Sequence, residues 1–414
     1  MNKLSDFRYT MDSCNHCGQC KWILPHKMHG WDFAEICPIY QRYGFDACSG
    51  QGLLNNAKEV LNGTVSYGDG LEHLLYTCTA CGACDINCKS VRDMDVLDTI
   101  YALRADCAEK GALPEPVKKK GEAVINTHNI YGLPHEERSS WLPSDCGETP
   151  DADTVLFLGC AASYQHKEIA LAAISILQKG KVPFRLLREE EWCCGSYLWR
   201  TGQTDAAKEL VHHNVELLRS QGVKTIITAC GECFGSFRNG YPRFEELPCK
   251  VRHISEVAAE LIADGKLQLH PVSLNGPVTY HDPCMLGRQS EEYVPWDGEI
   301  KPYGLLDPPK VWLRGEHGVY DAPREVLKAI PGLELLEMTR NNEESFCCGA
   351  MAIDEDFRTW TGAERRREAE QCGALALVTA CPFCLDALDA KEKSGLPCYD
   401  LSVLLASALE GGEA

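Results

Sequence analysis

The sequence predicts an α+β protein of several domains, with a helical, cysteine-rich N-terminal part followed by two copies of one α/β unit. Three observations predict it. Twenty-four of the 414 residues are cysteine. Ten of these fall in the first 110 residues, where β-branched runs are few and apolar residues recur at helical spacing. Beyond residue 153 short apolar strands alternate with helices, and elements and cysteines recur in the same order after about 120 to 140 residues. The expected division is 1–112 for the helical part, 113–152 for a connector, 153–273 for the first repeat and 274–414 for the second.

The helical part contains "DMDVLDTIYALRADCAEKGA" (93–112), where Val96, Leu97, Ile100, Tyr101 and Leu103 share one helical face. The connector is dense in Pro, Gly and charge, with one helix expected near Val117 to Thr127. In the first repeat "TVLFLGC" (154–160), "VPFRLL" and "KTIITAC" (224–230) read as strands. "HKEIALAAISILQKG" and "TDAAKELVHHNVELLRSQG" read as helices with glycine stops at 180 and 222. The second repeat gives strands in "PVTYHDPC" (277–284), "LELLEM" and "ALALVTAC" (374–381), with helices in "APREVLKAI" and "RTWTGAERRREAEQCG".

Composition excludes several functions. The chain carries 41 basic and 60 acidic side chains, a net charge of −19. Such a surface repels nucleic-acid phosphates and an anionic leaflet, so no nucleic acid is expected as a partner. The longest apolar runs are about half the 18 or more residues that cross a bilayer. The first twenty residues lack the apolar stretch of a signal peptide. Thiols in a reducing compartment, serving metals, are therefore expected, and a cytoplasmic location with them. Any membrane association would be peripheral, through a partner.

The cysteine spacings name the metal chemistry. "CTACGACDINC" holds Cys78, Cys81, Cys84 and Cys88 at the CxxCxxCxxxC spacing of bacterial ferredoxins, and "CNHCGQC" holds Cys14, Cys17 and Cys20, with Cys37 beyond. In a two-cubane ferredoxin the fourth thiolate of the run ligates the other cluster. One 4Fe–4S cubane would then take Cys14, Cys17, Cys20 and Cys88, and the other Cys78, Cys81, Cys84 and Cys37. Gly18 and Gly82 suit a close approach of backbone to sulfide. Zinc also binds CxxC pairs but needs only four ligands, and two triplets with remote fourth cysteines suit cubanes better. Two departures stand out: sixteen residues separate Cys20 from Cys37, and Lys89 replaces the customary proline after the last cysteine.

Each repeat carries five more cysteines in one order: Cys160, Cys193, Cys194, Cys230 and Cys233, then Cys284, Cys347, Cys348, Cys381 and Cys384. They fall just past strands or at helix starts, the carboxyl ends of a parallel sheet, where open α/β folds bind ligands. Adjacent cysteines cannot readily bond to each other, but they offer two sulfurs to different irons of one cluster. The first gap is 32 residues in the first repeat and 62 in the second, where residues 289–318 look inserted, as a lid, a docking loop or a passive decoration.

On these motifs the chain resembles the CCG-domain iron–sulfur oxidoreductases over nearly all of residues 10 to 400. Its whole-chain order is similar to that of HdrD, the iron–sulfur D subunit of heterodisulfide reductase. It is similar also to the iron–sulfur subunits of glycolate, lactate and anaerobic glycerol-3-phosphate oxidising enzymes, and to the HdrD-like subunit of class II benzoyl-CoA reductase. The resemblance implies an α-helical ferredoxin domain joined to two α/β CCG domains, and one or two further 4Fe–4S clusters, non-cubane in heterodisulfide reductase, on the CCG cysteines. It implies that Cys193, Cys194, Cys347 and Cys348 take part in catalysis as ligands. The function it implies is an electron-transfer subunit of an anaerobic multisubunit oxidoreductase, partnered by flavin- or cytochrome-containing subunits. The alternatives are a catalytic subunit reducing a small heterodisulfide, and the iron–sulfur subunit of a quinone-linked 2-hydroxy acid or glycerol-3-phosphate dehydrogenase.

Other residues carry weaker signals. His281 and Asp282, in "YHDPC", flank Cys284, and His281 is the candidate for a hydrogen bond or proton to a substrate at the second site. Arg288 could neutralise an anionic substrate. Glu190–Glu191 and Glu343–Glu344, before each CCG, read as solvated turn residues. Cys48, Cys107, Cys146, Cys249, Cys372 and Cys398 lack ligand spacing and read as small core or surface thiols. No strand is followed by GxGxxG, so no flavin or NAD is expected in this chain.

Overall fold

The computed structural model describes residues 2–28, 30–92, 94–274, 276–389 and 395–410. In the N-terminal part, helices Gly50–Asn62, Asp69–Thr77, Ala83–Arg92 and Val96–Glu109 bury Leu53, Leu54, Leu75, Ile100 and Leu103 in one core. Ser49 starts the first of these, its side chain accepting the Gly52 N–H at 3.3 Å. Lys89 explains its own departure from the ferredoxin pattern. A proline there would interrupt the helix, whereas Ala83–Arg92 runs on through Cys88, and the buried Lys89 ammonium pairs with Asp85 at 2.7 Å and Asp95 at 3.4 Å. The sixteen residues between Cys20 and Cys37 form a loop closed by an antiparallel bridge between Trp22 and Glu35.

The two repeats build two parallel sheets of matching order. In the first, β1 (Thr154–Phe157), β2 (Thr225–Thr228) and β3 (Lys250–His253) lie side by side in that order. In the second, β4 (Val278–His281) is flanked by β7 (Leu335–Leu336) and β8 (Ala376–Thr379), with β9 (Cys398–Asp400) beyond β8. β5 (Glu299–Lys301) and β6 (Leu305–Asp307) form a separate antiparallel hairpin inside the 289–318 insertion. Arg185 makes a single parallel bridge to Val155 at the edge where the second sheet has β7. The expected strands "VPFRLL" and "LELLEM" thus shrink to one and two paired residues. Each lies at a sheet edge with one neighbour and turns at once towards its CCG loop.

The helices fall close to expectation, at Glu115–Thr127, Lys167–Lys179, Thr204–Ser220, Asp321–Ala329 and Glu355–Gln371. The closing unit of each repeat is an addition: β3 with helix Ile254–Ala263, and β9 with helix Leu401–Glu410. These last helices cross over. Leu401–Glu410 packs on Lys167–Lys179 of the first repeat, and Ile254–Ala263 packs on Asp321–Ala329 of the second. A single core results, joining Ile169, Leu177, Val257 and Leu261 to Val326, Leu327, Leu404 and Leu405. At the carboxyl ends of the strands the Gly231 N–H donates to the Ala380 carbonyl at 3.2 Å, so β2 and β8 deliver their cysteine loops to the same place.

Two outcomes are expected. Leu405→Ala empties part of the shared core and costs about 2–5 kcal/mol; denaturation followed by circular dichroism should show both repeats losing stability in one transition. His166 of the first repeat bonds Asp386 of the second at 2.8 Å, and Asp386, then Glu168, raise its pKa to about 9. A raised folded pKa gives stability that is complete below the unfolded value near 6.5 and lost as pH rises through about 9. His166→Gln should therefore lower the melting temperature at pH 6 and leave it unchanged at pH 10.

Candidate functional site

All 24 cysteines are free thiols, and the eighteen expected as ligands gather into four groups. Cys14, Cys17, Cys20 and Cys88 line one cavity. Cys37, Cys78, Cys81 and Cys84 line the next. These are the two sets that the ferredoxin spacing assigns, Cys37 included. Gly18 and Gly82 have φ of +78° and +79°. The Ala80 N–H points at Cys78 Sγ at 3.4 Å. Cys17 of the first set is exposed, whereas Cys37 and Cys81 of the second are buried and Cys78 and Cys84 half-buried, so the first cavity lies nearer solvent.

The CCG cysteines form a continuous run of neighbouring thiols that act on one another. Cys160 meets Cys193, Cys193 meets Cys194, Cys194 meets Cys233 and Cys233 meets Cys230. In the second repeat Cys284 meets Cys347, then Cys348, Cys384 and Cys381 follow. Cys284 therefore joins its set despite the 62-residue gap. Two contacts link the groups: Cys230 to Cys381 between the repeats, and Cys347 to Cys81 of the second N-terminal set.

The CCG glycine has a local role in both motifs. Gly195 and Gly349 adopt φ of +74° and +91°, a conformation that costs other residues. It turns each glycine N–H back onto the first cysteine of the pair, to Cys193 Sγ and Cys347 Sγ at 3.4 Å in each. The pair is thereby held with both sulfurs facing the remaining thiols.

The thiols' charge state is frustrated. Burial pushes Cys37, Cys84 and Cys230 well above the ordinary thiol range. Where a thiol donates to a neighbour the neighbour falls, as when Cys347, with help from Arg288, holds Cys81 at about 5, and Cys193 and Cys233 hold Cys194 at about 5. Soft, crowded, buried sulfur donors without disulfides fit an iron–sulfide core, whose positive metal lets every thiolate ionise together. Buried arginines supply further positive charge. Arg138 Nη2 lies 4.0 Å from Cys160 Sγ. Arg200 pairs with Glu232 and donates to the Thr79 and Ala80 carbonyls at 3.2 and 3.1 Å.

Four expectations about polar residues resolve on geometry. His281 Nδ1 accepts from Arg365 Nε at 3.1 Å, which leaves its Nε2–H facing Cys348. Asp282 is committed elsewhere, gripped by Arg324 at 2.7 and 3.0 Å. Arg288 spends its donors on the carbonyls of Cys81, Glu343 and Ser345, at 2.8, 2.6 and 2.5 Å, and so ties the Cys78–Cys88 loop to the second repeat rather than facing a substrate. The glutamates before the CCG motifs divide. Glu190 is exposed as expected, but Glu191 is buried, ion-paired with Arg138 at 3.2 Å, and accepts the Leu158 and Gly159 N–H groups at 2.9 Å each. Glu344 is buried too, which raises its pKa to about 7. The solvated reading fails for these two because each folds under its CCG loop. Of the six other cysteines, Cys107 and Cys146 are core residues and the rest are half-buried.

Comparison with known proteins agrees with this arrangement. The cysteine-rich (CCG) domain matches residues 154–238 and 311–389, and the 4Fe-4S dicluster domain matches residues 10–91. The D subunit of dihydromethanophenazine:CoB–CoM heterodisulfide reductase from Methanosarcina mazei is 34% identical, covering 96% of this chain and 94% of its own length. The chain belongs to the HdrD family of iron–sulfur oxidoreductases. It is an iron–sulfur electron-transfer subunit. Similarity extends to the B subunit of fumarate reductase (CoM/CoB) from Methanothermobacter marburgensis, 31% identical over 79% of this chain and 59% of that one. It extends also to the probable iron-sulfur-binding oxidoreductase FadF of Bacillus subtilis, 29% identical over 83% of this chain and 47% of that one. Cys284 precedes the second match of the CCG domain, so its place with Cys347 rests on the geometry. Among the described residues no helix is long and apolar enough to cross a membrane.

The glycine geometry gives an ordered expectation. A Cβ on Gly349 would lie 2.9 Å from Thr361 Cβ and 3.2 Å from the Arg358 carbonyl, whereas one on Gly195 meets a leucine methyl at 3.3 Å. Gly349→Ala should therefore lower bound iron per chain further than Gly195→Ala, as measured on anaerobically purified protein.

Proposed function

We propose that the chain is a linear relay in which four groups of cysteines hold four clusters in spatial order. The carrying observation is the pair of thiol contacts, Cys81 to Cys347 and Cys381 to Cys230. Cys14, Cys17, Cys20 and Cys88 would hold the outer cubane and Cys37, Cys78, Cys81 and Cys84 the inner one. The five cysteines of each repeat would hold a 4Fe–4S cluster of the non-cubane kind, which the vicinal pair suits. When bound, these clusters supply one-electron redox chemistry. The chain's own part is to fix their order and to exclude water: all five ligands of the first repeat are buried, as are four of the five in the second. The exposed Cys17 marks the end at which a partner redox subunit would exchange electrons. Such a partner would be a subunit carrying flavin or cytochrome, and any contact with a membrane would run through it.

A second reading has its own observation. A cleft of about 810 Å³ opens beside the CCG sites, lined by Ala350, which follows the second CCG, by Phe383, which stands between Cys381 and Cys384, and by Tyr131. A small disulfide could enter there and be reduced to two thiols, using two electrons delivered through the relay and two protons. His281, with its tautomer fixed by Arg365, would then stabilise thiolate at Cys348. The relatives named for heterodisulfide reductase support this reading for a disulfide acceptor.

Reduced viologen separates the two. Turnover with low-molecular-weight disulfides assigns the chain a catalytic role, and its absence leaves the relay. Cys347→Ser should leave the N-terminal cubanes reducible and delay reduction of the first repeat's cluster in rapid-mixing experiments. Equal reduction rates in variant and parent would refute the linear order.

A further inference from the structure

The connector, residues 113–152, lies outside both matched domain families, yet part of it runs across the first repeat's cysteines. The Cys193 N–H donates to the His128 carbonyl at 3.0 Å, and the Ile130 N–H to Cys160. His128 is stacked on Trp192 with ring centroids 3.6 Å apart, which pins the segment beside the CCG motif. Two side chains of this segment present donors without acceptors. Arg138 is 1% exposed, and its Nη2 reaches Glu191 at 3.2 Å and Cys160 at 4.0 Å, while its Nε and Nη1 have no hydrogen-bond partner among the described residues. The Tyr131 hydroxyl is likewise buried and unpartnered among the described residues. It lies where the charges of Asp386, of Cys160 and Cys230 and of the second repeat's Cys381 act on it, at the wall of the 810 Å³ cleft.

Buried donors are almost always satisfied, and one left unpaired weighs against folding. Three of them beside one set of thiols call for an acceptor at that place. We propose that Tyr131 Oη and Arg138 Nε and Nη1 donate hydrogen bonds to the sulfur of the iron–sulfur group held by Cys160, Cys193, Cys194, Cys230 and Cys233, and so raise its reduction potential. The inference rests on the ligand assignment made above for the first repeat. Hydrogen bonds to cluster sulfur favour the more negative, reduced form, and this is a main lever on such potentials. The second repeat offers a different donor: His281 Nε2 faces Cys348 and has no hydrogen-bond partner among the described residues, while Arg288 and Arg365 are occupied by carbonyls, Glu368 and His281.

The test uses the full chain, purified anaerobically and titrated electrochemically with electron paramagnetic resonance detection. The signal that Cys193→Ser removes defines the first site. Tyr131→Phe deletes only a hydroxyl that bonds nothing within the described residues, so a packing role predicts an unchanged potential and undiminished stability. The expected result is a lower first-site potential at unchanged iron content, equivalent to about a three- to tenfold change in the one-electron equilibrium, at most about 59 mV. Arg138→Lys keeps the charge facing Glu191 but loses the guanidinium fork, and should shift the potential the same way. Arg138→Gln should shift it further, and because it leaves Glu191 unpaired, the lysine variant carries the test if the glutamine one does not fold. First-site potentials equal to wild type in both Tyr131→Phe and Arg138→Lys, with the signal intact, would overturn the connector's role alone. A wild-type spectrum from which Cys193→Ser removes nothing would overturn the ligand assignment and this inference together.

Discussion

Crowded thiolate charge is the constraint that organises this molecule. Ten sulfurs neighbour one another in a line from Cys160 to Cys81, with Cys284 beside Cys347, and burial favours the protonated form of each unless a neighbouring thiol or a positive centre offsets it. The structure answers with arginines that are themselves buried, among them Arg104, Arg138, Arg200 and Arg365. These side chains also act as ties. Arg104 donates to the carbonyls of Leu75, Cys78 and Arg200, at 2.9, 2.6 and 2.8 Å, and so binds the helical part to the first repeat. Arg288 does the same for the second. The guanidinium suits both tasks because it stays charged when buried and presents several donors in a fixed plane.

The repeats share a sheet order but not a polar environment. The last residue of β1 is Phe157, and that of β4 is His281. Below the first CCG, Glu191 accepts two backbone N–H groups. In the corresponding place of the second stands Ser345, whose hydroxyl donates to the Asp282 carbonyl at 3.1 Å. Duplication therefore preserved the thiols and the left-handed glycine while the surrounding charges diverged. One fold can then hold two chemically similar groups in unlike electrostatic settings.

Cysteine spacing made the site legible before any coordinates. The sets in the helical part, the recurring order in the repeats and the placement at strand ends all reappear in space, because loop length and strand direction alone determine where a thiol can reach. What the spacing could not show came from long-range packing. β3, "KVRH", is short and half charged, with no apolar run to announce it. Glu191 and Glu344 look like surface residues until the CCG loop folds over them. Arg138 and Tyr131 sit in a segment whose Pro, Gly and charge read as a plain connector, and only its backbone bonds to Cys193 and Cys160 reveal where it goes. The crossing of the closing helices leaves no periodic mark, since an apolar face does not state which partner will cover it.

That crossing bears on how the protein is made. The helix Leu401–Glu410 is the last described stretch of the chain, yet it covers the flank of Lys167–Lys179, laid down more than two hundred residues earlier. A nascent first repeat leaves the ribosome with that flank bare and must wait for residues 401–410 before its core is sealed. Sealing of the first repeat is thus tied to synthesis of the second repeat's closing helix, and a product ended before that helix would carry an open seam for quality control to recognise.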